Sequence, residues 1–319
     1  MKMVTALPQS EQLAVQTAMI RQLFPNHDIS VVTTMEDLFR EATTADVLVS
    51  TAFFPISSDL LRSAPSLRMV QVAGVGVDHV DIAVAKELGI TVACVTGANT
   101  VSVAEHVVMS ALALIKGLAP ANSAMHRGEW ALPIWIKSAR DMAGTTFGIL
   151  GMGRIGREVA LRLQPFQVTV LYNDIQPIDD EERYGATFVD FDTLMSESDV
   201  VSLHLPLNDA TRKIIGADAL DKMKFGACLI NTARAELIDE AALAKALQNR
   251  LGGAAIDVFH PEPPPSDHPL VGLPNVILTP HGAGVTLEAQ QRIAQGVIQN
   301  VLRFIDGRPL ADVVVEGSR

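Results

Sequence analysis

From residue 145 onward the chain alternates short, almost uninterrupted apolar runs with amphipathic stretches. This rhythm restricts the possible folds more than any other feature. TTFGILG, QVTVLYND, GATFV, DVVSLHLP, FGACLINTA, GGAAIDVF and NVILTPH read as strands; IGREVALRLQPF, FDTLMSES, GADALDKM and DEAALAKALQNR read as the helices between them. Strands that are apolar on both faces belong in a parallel sheet covered by helices on both sides. The first hundred residues keep the rhythm, with strands in KMVTALP, HDISVVTT, DVLVSTA, LRMVQVAG and ITVACVT and helices between them. DLFREATTADVLVSTA also echoes DTLMSESDVVSLHLP, which favours two domains of like architecture over a repeat array. SVAEHVVMSALALIKGL predicts a long apolar helix joining the domains, and TLEAQQRIAQGVIQNVLRFIDG a last helix that returns to the first of them. The expected class is α/β with two doubly wound parallel-sheet domains, one formed by residues 1–100 and 285–319 and the other by 101–284.

The 319 residues are 48% hydrophobic, enough for two cores, and their formal charge of −11 argues against a nucleic-acid partner, which calls for a basic face. The longest apolar stretch, Val107 to Ile115, is interrupted by Ser110 and ended by Lys116, well short of the roughly 20 residues of a membrane span. The start, MKMVTALPQS, has no long apolar region of the kind a signal peptide carries. Cys94 and Cys228 lie in apolar strand-like runs and read as buried free thiols suited to a reducing cytoplasm. No metal site is expected.

GMGRIG carries glycines at 151, 153 and 156 between a strand and a helix, the context a dinucleotide fingerprint requires. Gly151 permits the tight turn, Gly153 lets a pyrophosphate approach the backbone, and Gly156 lets helix and strand pack closely. Asp174 ends the next strand, 18 residues after Gly156. A carboxylate there accepts hydrogen bonds from ribose hydroxyls and repels a 2′-phosphate, and Ile175 and Gln176 bring no countering charge, so NAD is expected over NADP. The strands of this domain end on Gly151, Asp174, His204, Arg234, Asp257 and His281. Ligands of open α/β sheets bind beyond those carboxyl ends, so five polar groups on one edge suggest a site. DVFHPEPPP adds Glu262 in a loop stiffened by four prolines. A carboxylate beside a histidine stabilises the imidazolium and orients the ring, which suits proton transfer. In the first domain, VAGVGVDHVD lacks a third glycine at dinucleotide spacing and reads as an anion nest, with backbone N–H groups of Val75 and Gly76 open to a carboxylate.

GVGVDHVD, NTVSVAEH, GILGMGRIG, HLPLNDATRKII, LINTARAELIDEAAL, AAIDVFHPEPPP and ILTPHGAG, in this order over nearly the whole chain, make the sequence resemble the D-isomer-specific 2-hydroxyacid dehydrogenases, in their glyoxylate/hydroxypyruvate reductase-like branch. The resemblance implies a Rossmann cofactor domain, a discontinuous flavodoxin-like substrate domain, a cleft between them and a homodimer formed through the cofactor domains. It implies that Arg234 binds the carboxylate and 2-oxo group of the substrate, that His281 is the acid/base and that Glu262 is its partner. Val75 and Gly76 would bind the carboxylate. Arg154, Ile155, Asp174, His204, Pro206, Thr232 and Ala233 would line the cofactor alongside the three glycines, and Asp257 would orient the nicotinamide carboxamide. One departure stands out: Ala235 and Glu236 follow Arg234 where the family usually has glycine.

Within that family a phosphoglycerate dehydrogenase needs basic residues in the loop that here reads TAFFPISSD, which has none. Formate dehydrogenases resemble this chain but pair their histidine with Gln, and phosphite dehydrogenase needs a lysine where Val75 stands. The expectation is an NAD-dependent reductase of a small unphosphorylated 2-oxo acid such as glyoxylate or hydroxypyruvate, with Phe53, Phe54, Trp135, Met142 and His260 as candidates to shape its side-chain pocket. The alternatives are a phosphoglycerate dehydrogenase-like enzyme and an NAD-sensing binding protein on the same fold.

Overall fold

The computed structural model describes residues 1–11 and 13–318, and they form two compact units, Met1–Asn99 with Leu287–Arg319 and Thr100–Thr286. The first unit is built on strands β1 (Lys2–Ala6), β2 (Asp28–Val32), β3 (Val47–Ser50), β4 (Met69–Val72) and β5 (Thr91–Ala93). The second contains β6 (Thr146–Leu150), β7 (Thr169–Asn173), β8 (Ala186–Phe188), β9 (Val200–Leu203), β10 (Cys228–Asn231), β11 (Gly253–Ile256) and β12 (Val276–Leu278). The chain then returns to the first unit with helix Leu287–Ile305 and β13 (Val313–Val315).

In the first unit the sheet order is β13-β5-β4-β3-β1-β2. Its five parallel strands therefore run 2-1-3-4-5, the flavodoxin-like order. β3 and β4 are buried at every residue, which explains why three of the four residues in each are apolar. β13, which the sequence pattern does not announce, pairs antiparallel with β5, so the sheet is parallel except at this edge.

The second sheet runs β12-β11-β10-β9-β6-β7-β8, all parallel. The order reverses between β6 and β9, and such a switch point opens a crevice at the carboxyl ends of the strands. Helix Thr100–Lys116 lays Val103, Ala104, Val107, Val108 and Ala111 into the core shared with Phe147, Ile149 and Val159. Helices Leu118–His126 and Leu132–Ser138, also absent from the sequence reading, follow it. Both cysteines are buried and free. Among the described residues no single helix is long and apolar enough to cross a membrane.

Candidate active site

The turn after β6 needs its glycines. Gly151 lies at φ +100°, and a Cβ there would meet the backbone of His204 at 2.8 Å. A Cβ on Gly156 would collide with the carbonyl oxygen of Gly151. Gly153 is the N-cap of helix Arg154–Leu163, and a Cβ there would meet nothing within 4 Å. That open side, with the helix N-terminus behind it, is where a pyrophosphate has room. Arg154 and Ile155 form the first turn of the helix. Asp174 is tied to the same turn: its Oδ2 accepts from Met152 N at 2.7 Å and its Oδ1 from Ile175 N at 2.7 Å. Each carboxylate oxygen retains a lone pair for a further donor. Replacing Asp174 by Ala and Ile175, whose side chain is 99% exposed, by Arg is expected to move the NADPH-to-NADH preference on the order of 10²-fold toward NADPH. Unchanged preference in kcat/KM would place Asp174 away from the ribose.

His204 ends β9, donating its backbone N–H to Leu150 O at 2.8 Å and setting Nε2 2.9 Å from Ser202 Oγ. Burial pushes its pKa down to about 3, so its imidazole is neutral near pH 7. Pro206 lies on the exposed rim, its carbonyl accepting from Thr211 Oγ1 at 2.7 Å.

β10 ends on Asn231, which is fully buried and was not singled out in the sequence. Its Oδ1 accepts from Ala233 N at 3.0 Å and its Nδ2 donates to Arg234 O at 2.8 Å. One amide therefore brackets the turn that presents Arg234. Arg234 is extended (φ −143°) and caps a 3-10 turn, Ala235–Leu237. Ala235 is not among the residues at positive φ and is buried. A glycine is thus not required after Arg234, because the chain enters a right-handed turn that alanine adopts freely. Thr232 Oγ1 is buried with no hydrogen-bond partner among the described residues, a state that protein side chains rarely leave unfilled.

Asp257, nearly fully buried after β11, organises the loop that carries His281. Its Oδ1 accepts from Thr279 Oγ1 at 2.5 Å and Gly282 N at 2.8 Å, and its Oδ2 from Ala283 N at 2.9 Å. Its carbonyl accepts from His281 N at 2.7 Å. His106 Nε2 lies 3.4 Å from Thr279 Oγ1, and burial lowers the pKa of this histidine, against the opposing pull of Asp257. Neither Thr279 nor His106 was singled out in the sequence. His281 itself sits at φ +53°, in the left-handed region that histidine tolerates better than most residues. Its Nδ1 lies 2.8 and 3.1 Å from the two carboxylate oxygens of Glu262, and 42% of its side-chain surface is exposed. A carboxylate only accepts, so Nδ1 carries the proton and Nε2 is left for exchange.

In the first unit Val75 and Gly76 follow β4, and among the described residues of that unit their N–H groups meet no acceptor. The pocket candidates fare unevenly. Phe54 and Met142 are buried in hydrophobic cores and cannot shape a substrate pocket, and Trp135 packs on Ala121, Ala124 and Ala131. Phe53 and His260 are exposed, the latter with Nδ1 3.8 Å from Glu236. Among the described residues no cluster of three or more His, Cys, Asp or Glu is placed to hold a metal ion.

A dinucleotide fits what the second unit offers: an open glycine cradle at a helix N-terminus, a carboxylate held at the next strand end and an orphaned hydroxyl at Thr232. This is the build of an NAD-dependent oxidoreductase. Residues 108–283 match the model of the D-isomer-specific 2-hydroxyacid dehydrogenase NAD-binding domain, and the chain belongs to that family. It is 39% identical over 277 residues to a glyoxylate reductase of Thermofilum pendens, covering 85% of this chain and 82% of that one. It is 35% identical over 281 residues to a D-3-phosphoglycerate dehydrogenase of Archaeoglobus fulgidus, covering 88% of this chain and 53% of that longer one. An NAD-dependent formate dehydrogenase from Staphylococcus aureus, solved in complex with NAD, is similar over 100% of both chains with a TM-score of 0.91 and 36% identity.

Proposed function

We propose that this enzyme reduces a small, unphosphorylated 2-oxo acid, of the glyoxylate or hydroxypyruvate kind, to the 2-hydroxy acid. The observation that carries the reading is the carboxylate of Glu262 at 2.8 Å from His281 Nδ1. Reduction of a ketone delivers hydride to carbon and requires a proton on oxygen, whereas oxidation of formate to carbon dioxide moves a hydride and no proton. A histidine held as an acid by a carboxylate serves the first reaction and is idle in the second. The phosphorylated alternative lacks support because residues 51–59 contain no Lys or Arg, and the nearby Arg62 is already paired with Glu87 at 2.7 Å.

Bound NADH would supply the hydride. The residues that would hold it are Gly151, Gly153, Arg154, Ile155 and Gly156 at the pyrophosphate, Asp174 at the ribose, and His204, Pro206, Thr232, Ala233 and Asp257 along the nicotinamide half. Arg234 would grip the carboxylate and 2-oxo oxygen in planar, charge-assisted hydrogen bonds and stabilise the negative charge growing on that oxygen. The proton would leave from Nε2 of His281, and Glu262 would stabilise the imidazolium beforehand. For Val75 and Gly76 we propose the carboxylate role, supported by N–H groups that meet no acceptor among the described residues of their own unit.

We also propose a homodimer formed through the second unit and a cytoplasmic location. Trp130 and Ile136 are each 71% exposed, and Met109, Leu118, Met125 and Leu132 of the same helical stretch are exposed as well. So many exposed apolar side chains in one stretch of the chain favour a partner; light scattering at the mass of a single chain would refute the dimer. Buried free thiols fit a reducing compartment, and cell fractionation tests it.

The deciding experiment is NADH oxidation with glyoxylate, hydroxypyruvate, pyruvate, phenylpyruvate, 2-oxoglutarate and 3-phosphohydroxypyruvate, together with formate plus NAD. Highest kcat/KM for a small unphosphorylated 2-oxo acid is expected. Preference for formate or the phosphorylated acid sinks the reading, and no turnover with any of them would favour an NAD-sensing binding protein.

A further inference from the structure

We propose that His268, fixed by Glu240, is a positioning residue that holds the Glu262 carboxylate against His281 through Phe259. The inference rests on the acid/base reading of that pair. Residues 260–269 read HPEPPPSDHP, and five of the ten are prolines, at 261, 263, 264, 265 and 269. Each proline removes a backbone donor, so this loop has few N–H groups with which to pin itself to the body of the unit. A side chain takes over that task. His268 is 6% exposed, and its Nε2 lies 3.0 Å from Glu240 Oε2. Its Nδ1 accepts from Leu270 N at 3.4 Å, which leaves the proton on Nε2 to be donated to Glu240. Glu240 opens helix Glu240–Asn249, which is capped by Asp239, whose side chain accepts from Ala242 N at 3.1 Å. The loop is thereby fastened to a rigid element.

The same histidine ring packs against Phe259. Phe259 and His268 stand edge to face, centroids 5.6 Å apart at 84°, a favoured aromatic geometry. Phe259 is buried, and its backbone N–H donates to Glu262 Oε1 at 2.9 Å. Glu262 Oε2 faces His281 Nδ1 at 2.8 Å. The line Glu240, His268, Phe259, Glu262, His281 is continuous, each link being a hydrogen bond or a ring contact. Leucine would fill the volume of His268, yet it would supply neither the donor to Glu240 nor the acceptor for Leu270.

The test compares His268→Phe, which keeps an aromatic edge for Phe259 but loses both hydrogen bonds, with Glu240→Leu and Glu240→Gln. Steady-state kinetics are read with the 2-oxo acid the enzyme turns over fastest, and Tm is recorded for each variant. A displaced carboxylate is expected to lower kcat about 10- to 100-fold in His268→Phe and Glu240→Leu, with KM for NADH within about twofold. Glu240→Gln keeps an acceptor oxygen and is expected to restore most of the turnover. Unchanged kcat in His268→Phe, or in Glu240→Leu should the first variant not fold, overturns the proposal. So does a fall in kcat accompanied by a matching rise in KM for NADH, the mark of general loosening. Glu262→Gln is measured alongside. If it leaves turnover intact, the acid/base reading fails and takes this inference with it; if it collapses turnover while His268→Phe does not, only the positioning role is lost.

Discussion

His281→Asn is expected to lower kcat about 10²- to 10⁴-fold, the contribution of a positioned general acid, while NADH binding followed by fluorescence stays within a few-fold of the parent. Asparagine is the better probe than alanine for a structural reason. Residue 281 lies at φ +53°, where asparagine is tolerated and alanine is strained, so a loss in the alanine variant would mix chemistry with a displaced loop. The backbone bonds from residue 281 to Asp257 O and Thr279 O do not involve the ring and survive either change. Glu262→Gln alone should lose less, because an amide still meets Nδ1 but no longer stabilises the imidazolium. In the His281→Asn background it should cost almost nothing further, since residues acting as one unit are strongly non-additive. Turnover retained within a few-fold in His281→Asn would remove the histidine from the proton path.

Most of the architecture was open to reading because its physics is local. VLVS, MVQV and CLIN are buried at every position, and a strand covered on both faces is mostly apolar; the one polar residue in each, Ser50, Gln71 and Asn231, is buried too. β13 escaped notice for the converse reason. Only Val315 of its three residues is buried, it lies in a short tail, and it pairs with β5 more than two hundred residues earlier. Helix Leu118–His126 has only Ala121 and Ala124 buried, too few for a visible period. In the site, residues that need a special backbone or lie in a recognisable motif stood out: the glycines, Asp174, Arg234, Glu262 and His281. Asn231, Thr279 and His268 did not, because each acts through a hydrogen bond that its residue type alone does not announce, and for Thr279 and His268 the partner is brought in by the fold. Asn231 bonds the main chain of residues 233 and 234, Thr279 bonds a carboxylate 22 residues away and His268 one 28 residues away. Met142 and Phe54 misled in the other direction, since an apolar side chain beside a loop looks the same whether it faces a pocket or a core.

Arg234→Lys is the second large expected loss. A lysine keeps the charge but replaces a planar fork by a point charge on a flexible stem, so it cannot bind a carboxylate and the neighbouring oxo group in one plane. Removing one donor aimed at a developing oxyanion costs about 10²- to 10³-fold in kcat. A fall of that order in kcat, with KM for the 2-oxo acid raised as well, is the expected result, and Arg234→Gln, which loses the charge too, should fall further. The backbone is prepared for this comparison. Asn231 holds residues 233 and 234 through their main-chain groups, and the guanidinium makes its own bond to Ala233 O at 2.6 Å. Both substitutions lose the guanidinium's bond to Ala233 O but keep the two bonds from Asn231 that pin the turn. Free guanidinium ion added to Arg234→Ala offers an independent check: partial return of turnover, saturating with guanidinium and absent in the parent, is expected if the planar donor is what the reaction needs. An Arg234→Lys enzyme with parental kcat and KM would reduce the arginine to a surface charge and reassign the carboxylate to other donors.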